Sequence, residues 1–586
     1  MKKYFLLALF AFTINVVSAQ KLSETNKRFY FFKVWNLIKY YHPDLASGKT
    51  NADTLFLNSL KAIDKAKTKK QYNAYINTLL SGLSKQGTKK AITDNEKSTM
   101  YQNLDQQWFR SDPAFNTKNK KELAFIFDHR YTGAKHHYIP DLRYTTLIPN
   151  EAIYTFPDTV NLPYPMRMLA LAKLQGTADY LFPHKYLTDK NLDTVIQQNI
   201  SLFAACNSRL EYEKLLLKVS SSFNDTHNFR FINQIKNKRQ LTHSNFFPPF
   251  NYKVFENGIM VTEIIIPENC EKGNIKIGDF ITAINGQPVT QVIDTLSTVL
   301  SASNRTVLVA RLSNYTDNLI WPSTSTAISL TTRRGTVTAT NTITFVAAGD
   351  YDNAKRIMTF LNRDPEPTDN KRSIQNNNIA YFKVNETIQF LNDIPDEKLD
   401  KRMDSILDIA AHQKGIIFDM RGYPDWGGFI QYYVLRKFGK TPLHFADYYE
   451  INKNLIGSYV RNDETDTYYR KELVTDNNPA YTGKVIIIVN SQTLSMSEFL
   501  TMLLQRLFPQ SITLGEQSAG ADGDEKIINL PGNYEFNFTG NAIFYPDGTY
   551  AQRKGVKIDK PLSVTPQDLQ SKRDPLLDNA IQLIKM

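Results

Sequence analysis

Cysteine is nearly absent: Cys206 and Cys270 are the two in 586 residues. A fold stapled by several disulfides is excluded, and so is a zinc site built from paired CxxC motifs. One bridge between the two cysteines stays open, beside a pair of buried free thiols. Histidine is also scarce, at nine residues, with no HExxH among them. His136 and His137 are adjacent, so their side chains diverge on any regular element. No metal and no cofactor is expected. Beyond the N-terminus there is no run of about 18 apolar residues, so no stable membrane insertion is expected. The net charge of +12 is spread along the chain rather than gathered into a basic stripe with a nucleic-acid motif. It reads as a solvated surface, and nucleic acid is not an expected partner.

The N-terminal MKKYFLLALFAFTINVVSAQ pairs two lysines with a short apolar stretch and then Val17-Ser18-Ala19. That is the pattern of a secretory signal cut after Ala19. Residues 1–19 are therefore expected to be a signal peptide and the mature protein to be exported, periplasmic or extracellular.

The remaining length suits three or four units. Residues 20–240 are mainly helical in character. Two stretches match without gaps at an offset of 140: Lys33 with Lys173, Tyr40 with Tyr180, Pro43 with Pro183, Asn51-Asp53-Thr54 with Asn191-Asp193-Thr194, and Tyr72 with Tyr212. They read as a duplicated helical unit. The intervening residues 86–165 contain strand-like runs such as LAFIF and EAIYTF. After the second copy comes SSFNDTHNFRF, whose Asp225-Thr226-His227 has no counterpart in the first. From residue 248 to 345 short strands take over, and Asn285-Gly286 is a strong hairpin signal. IKIGDFITAINGQPV in this stretch resembles the late region of a PDZ domain, which binds extended peptide ends at a sheet edge. Residues 350–378 read as a polar linker. From 375 to 586, strands (NIAYFKV, GIIFDM, VIIIVN, SITLGE) alternate with helices, which argues a mostly parallel sheet with chemistry at its carboxyl ends.

Two strand ends carry the candidate residues. GIIFDMRGYPDWGG delivers a glycine-rich loop containing Gly427 and Gly428, whose amides can converge on an anion. GKVIIIVNSQTLSMSEFL runs from a buried strand into a helix. Ser495 and Glu498 fit a capping box. The same Ser495, at a helix N-terminus, also fits a nucleophile with the Met496 amide turned to an oxyanion.

IAYFKV, IIFDMRGYPDWGG, VIIIVNSQTLSMSEFL, ITLGEQSAG and QRKGVKIDKPL occur in one order. That order resembles the serine peptidases of the carboxy-terminal processing protease and tricorn protease group. The resemblance implies a multidomain α+β protein with a ClpP/crotonase-like catalytic domain, Ser495 as nucleophile, and oxyanion donors at Met496 and at Gly427 or Gly428. The processing branch places a lysine base near residues 521–522; here none stands there, and Lys526 is four or five positions on. The tricorn-like branch takes a histidine before the PDZ insert, which maps to His227 with Thr226 preceding it. Its glutamate before the final GV pair is Gln552 here, an amide that orients without charge. No GxSxG elbow of the common esterase type is present. The implied function is an exported serine endopeptidase acting on peptide or protein substrates through an acyl-enzyme. The alternative is a non-catalytic peptide-binding protein on the same fold. Oligomeric state is not legible.

Overall fold

The computed structural model describes residues 22–91, 99–141, 145–363, 373–374, 378–440, 443–462, 480–571 and 573–586. The signal-peptide expectation for residues 1–19 lies outside them. No helix among the described residues is long and apolar enough to cross a membrane.

The N-terminal region is built on α1 (Glu24–Tyr41), α2 (Ala52–Lys65), α3 (Lys69–Ser81), α4 (Tyr164–Gly176), α5 (Leu192–Ala205) and α6 (Arg209–Ser221). The boundaries of α2 and α3 recur in α5 and α6 with a shift of 140 residues. The caps explain why. Asn51 and Asn191 each accept from the backbone N–H of the threonine three residues on, at 2.9 Å, which satisfies an amide that a helix start leaves open. The two units also exchange ion pairs. Lys33 reaches Asp193 at 2.7 Å and Lys173 reaches Asp53 at 3.1 Å, while Tyr40 and Tyr180 meet with ring centroids 4.8 Å apart.

Two strand expectations in this region fail. LAFIF lies inside the helix Thr117–Asp128, because Leu123, Ile126 and Phe127 bury one face at helical spacing after an Asn116 cap. EAIYTF forms no regular element.

Strands β1 (Phe250–Phe255), β2 (Gly258–Ile264), β3 (Phe280–Ile284), β4 (Ala327–Arg334) and β5 (Val337–Thr344) form an antiparallel sheet in that order. Helices α7 (Val289–Ser297) and α8 (Arg305–Leu312) accompany it. Asn285 and Gly286 both take positive φ, 50° and 78°, in the tight turn after β3. The linker expected from residue 350 begins instead with a helix, Tyr351–Leu361. Asp350 caps it, and Phe360 packs at 6.1 Å on Tyr315. The rest of that linker expectation falls mostly outside the described residues.

The C-terminal region is α/β. Strands β6 (Ile379–Lys383), β7 (Gly415–Asp419), β8 (Lys484–Val489) and β9 (Ile512–Gly515) pair in parallel, with Lys560–Pro561 parallel beyond β9 and Ser373–Ile374 antiparallel beyond β6. Helices α9 (Asp396–Ala411) and α10 (Met496–Leu507) bury Met403, Leu407, Leu500 and Leu503 with Phe418 and Ile487. Helix α11 (Pro575–Lys585) sets Leu576 and Ile584 against Ile417, Ile486 and Leu514. Each such side chain contributes about 1.5–3 kcal/mol, and apolar residues on successive positions of β7 and β8 are what a sheet covered on both faces requires. Past β9, the hairpin β10 (Glu525–Leu530) and β11 (Tyr534–Thr539) stands apart from this sheet. Phe536 packs on Phe223 at 4.9 Å and on Phe231 at 5.9 Å. This contact joins the C-terminal α/β half to the helical half.

Candidate active site

The carboxyl ends of β7 and β8 are locked to each other by hydroxyls. Thr493 and Ser497 both donate to the Met420 carbonyl, at 2.8 and 3.0 Å. Of the three serines in NSQTLSMSEFL, Ser497 is thus a buried tie. Ser495 is different. It has φ 53° and ψ −116° at the start of α10, a conformation that non-glycine residues avoid and that recurs where a side chain must be presented at a sharp strand-to-helix turn. Its amide donates to Glu498 Oε2 at 3.1 Å, and its hydroxyl donates to the Gly523 carbonyl at 3.2 Å. Glu498 is fully buried and also accepts from Ser518 Oγ (2.6 Å) and from the amides of Gly520 (2.8 Å) and Ala521 (3.0 Å). It holds the serine turn against the 518–521 loop.

His227 opens the 3-10 helix Thr226–Gln234, which begins where α6 has turned. Its Nδ1 lies 2.9 Å from Thr539 Oγ1 and 3.5 Å from Asp225 Oδ1. Thr539 Oγ1 in turn donates to Asp225 Oδ1 at 3.0 Å, and the Thr539 amide donates to Oδ2 at 2.6 Å. The Thr539 hydroxyl therefore has its proton on Asp225 and its lone pair free for Nδ1–H. That arrangement fixes the tautomer, leaving Nε2 as the basic nitrogen. Burial pulls the imidazole pKa down, but the Asp225 carboxylate, with Glu525 and Glu498 farther off, raises it overall above its ordinary 6.5.

One cavity of about 850 Å³ is lined by Ser495, Met496, His227 and Thr226 together. The structure thus brings to one place residues 268 positions apart. Thr226 is more than a lining residue: its hydroxyl donates to Ser303 Oγ at 3.0 Å and accepts from the Ser303 amide at 2.9 Å. This fastens the histidine segment to the antiparallel unit. Gly427 and Gly428 do not line the cavity; Gly422 and Tyr423 do. Gly422 has φ 143°, a conformation that keeps the chain turning back toward the site without a Cβ. Asp425 turns inward to accept from the Thr387 amide (3.1 Å) and hydroxyl (2.7 Å), which anchors the loop before its glycine pair. Gln552 is buried but makes no hydrogen bond to His227; its amide has no partner among the described residues. Asp225 and Thr539 occupy the orienting position instead. Lys526 donates to the Thr145 carbonyl at 3.1 Å and does not line the cavity. Cys206 and Cys270 are both free and buried.

Sequence reasoning missed Thr539, Gly523 and Asp522. Thr539 lies 312 residues from His227 in the chain, and nothing local in FNFTGN marks it. Asp522 lines the cavity, and burial, with Glu498 and Asp524 adding, pushes its pKa well above the carboxylate range. His184 is not a rival base. Burial holds it down at about 4, although Asp225 pulls the other way, and it does not line the cavity.

Residues 378–562 match the model of Peptidase family S41. No curated protein sequence matches the chain. Among solved structures, mature CPAF complexed with lactacystin is 13% identical, with a TM-score of 0.49 over 72% of this chain and 98% of its own. The photosystem II D1 C-terminal processing protease is 13% identical, with a TM-score of 0.34 over 73% and 98%. The tricorn protease is 13% identical, with a TM-score of 0.31 over 72% of this chain and 37% of its own.

Proposed function

We propose that this chain, whose residues 378–562 match the model of Peptidase family S41, is an exported serine endopeptidase acting on peptide or protein substrates through an acyl-enzyme on Ser495. The observation that carries the reading is the strained Ser495, at φ 53°, facing one cavity with His227. On substrate entry the Ser495 hydroxyl turns from Gly523 toward His227. Its oxygen attacks the scissile carbonyl carbon while Nε2 takes its proton. The oxyanion is received by the Met496 amide, which has no intrahelical acceptor at the first position of α10, and by an amide of the 422–428 loop. The imidazolium, steadied by Thr539 and Asp225, gives the proton to the departing amine. Water then repeats the sequence and frees the serine. No cofactor takes part. The unit formed by β1–β5 is read as a PDZ-like domain that offers an edge strand to extended peptide.

The hydrogen bond from Ser495 to Gly523 also suits a resting serine in a peptide-binding protein that no longer cleaves. A fluorophosphonate separates the two. Covalent labelling of wild type but not of Ser495→Ala, together with cleavage of a quenched-peptide library that Ser495→Ala and His227→Ala abolish, supports the peptidase. A wild type that binds peptide yet neither labels nor cleaves refutes it.

A further inference from the structure

The cavity that holds Ser495 is also lined by three cations: Lys253 of β1, Arg230 of the 3-10 helix and Arg311 of α8. Among the described residues, other sequestered cations have partners: buried Arg167 donates to the carbonyls of Phe203 and Ala204. Lys39 and Lys173 share Glu151, and Lys33 has Asp193. The cavity is also lined by Asp522, Asp524 and Glu525, but none of these pairs with the three cations. Among the described residues, none of the three cations makes a side-chain hydrogen bond or an ion pair. Arg311 lies over the Phe229 ring, 5.9 Å from its centroid, which fixes the guanidinium plane without satisfying its donors. Lys253 and Arg311 are half-buried, and Arg230 is exposed. Burial pulls Lys253 and Arg311 below their ordinary pKa values, with the like charge of Arg230 adding to the effect on Arg311. Glu516 and Asp317 act on them only at a distance. For Lys253 and Arg311 a partly desolvated positive charge without a partner is costly, and an incoming anion removes that cost, while exposed Arg230 adds a donor at the rim.

We propose that Lys253, Arg230 and Arg311 form a subsite for a carboxylate carried by the peptide substrate, either an acidic side chain or the chain end. The proposal rests on the reading of this cavity as a peptidase site. Guanidinium groups match a carboxylate with paired donors, whereas a lysine adds a point charge. Two of the three cations belong to the antiparallel unit. That unit therefore contributes to selectivity through the wall of the catalytic cavity itself, without any need for its sheet edge.

The test uses binding and turnover in parallel. Fluorescein-labelled, C-terminally amidated peptide pools carry a single Glu at successive positions, with matched Gln pools and one Gln pool ending in a free carboxylate. Their affinity for Ser495→Ala protein is read by anisotropy, before and after adding Arg311→Gln, Arg230→Gln or Lys253→Met. A carboxylate-bearing pool should bind about tenfold or more tightly than the amidated Gln pool, and each substitution should remove most of that advantage, as expected for hydrogen bonds to charge. Affinity for the neutral pool should not move, which shows that the variants are folded. An advantage from internal Glu assigns a side chain; an advantage from the free terminus alone assigns the chain end. Equal binding of all pools overturns the proposal, as does an advantage that survives in the Arg311→Gln/Lys253→Met pair. Failure of the peptidase reading looks different: the binding preference persists while wild type neither cleaves nor takes the fluorophosphonate.

Discussion

Replacing Asp225 by Asn tests the source of the basicity of His227. The carboxylate stands 3.5 Å from Nδ1 and is fully buried, and the imidazole pKa is raised above 6.5 chiefly by it, against burial. On the proposed mechanism neutral His227 is the base, so kcat/KM should fall as pH drops through this pKa. In wild type the acid limb should therefore lie above pH 6.5. Without the charge, burial dominates and the limb should move downward. An opposite charge at this range shifts a pKa by about 1–3 units, so the limb should travel by about that much. The plateau should fall as well, by about 10²–10⁴-fold, because the imidazolium of the transition state loses its counter-charge. Initial rates on a quenched peptide from pH 5 to 9 give both numbers. Thermal unfolding and fluorophosphonate labelling check that the protein is folded. A limb that stays in place with a plateau within threefold of wild type would refute the assignment of Asp225.

The Thr539→Val variant removes the hydroxyl between Nδ1 and Asp225. It should lower kcat/KM about 10–100-fold, since hydrogen bonds to charged groups are worth about 1.5–3 kcal/mol, while Thr539→Ser should restore activity to within a few-fold. Lys526→Met should leave kcat/KM within about threefold in a peptide assay, because its amine is held by Thr145 and it does not line the cavity. Glu498→Gln should cost about 2–4 kcal/mol in a urea melt, because four donors converge on that carboxylate and an amide cannot accept them all. Glu151→Gln should cost about 3–5 kcal/mol, because it leaves Lys39 and Lys173 buried with half their counter-charge. Burial pushes the Glu151 carboxyl up, but Lys173 and Lys39 outweigh it and hold it at about 2. Its folded pKa is thus below the unfolded value, so its contribution is complete above about pH 4.5 and is lost as pH falls toward 2. The variant should lose that part of the acid sensitivity of wild-type stability.

Much of the catalytic half was legible because its signals are local. Buried parallel strands read as unbroken apolar runs, as GIIFD and KVIIIV do, and a helix start after a strand marks itself by Ser495 and Glu498. The failures share a cause. LAFIF looks extended until its neighbours are counted, and only the spacing of Leu123, Ile126 and Phe127 reveals a helix. The oxyanion loop was placed by its glycine pair, but Asp425 spends its carboxylate on Thr387 and leaves Gly422 at the cavity. Gln552 followed from a motif position alone. The hydroxyl that meets His227 Nδ1 is Thr539 of β11, a tertiary contact that no window of sequence contains.

The position of His227 shows what the two helical units do for the site. At a shift of 140 residues, Asp225-Thr226-His227 corresponds to Lys85-Gln86-Gly87, so the first unit has the same hairpin and none of the chemistry. The second hairpin ends against β11, where Phe223 and Phe231 grip Phe536. The same β11 carries Thr539, which bonds both Asp225 and the His227 imidazole. The His227 segment is fastened from the other side by Ser301 and Ser303, which bond to Asp225 and Thr226. His227 is therefore positioned by three regions at once, while Ser495 is positioned by one. Loosening Phe536 should disturb the histidine before it disturbs the serine. In Phe536→Ala, peptide turnover should fall severalfold or more while fluorophosphonate labelling of Ser495, slowed through the same lost base, recovers in part at alkaline pH. An equal loss at every pH would instead place the damage at α10, and the separation of the two supports would be wrong.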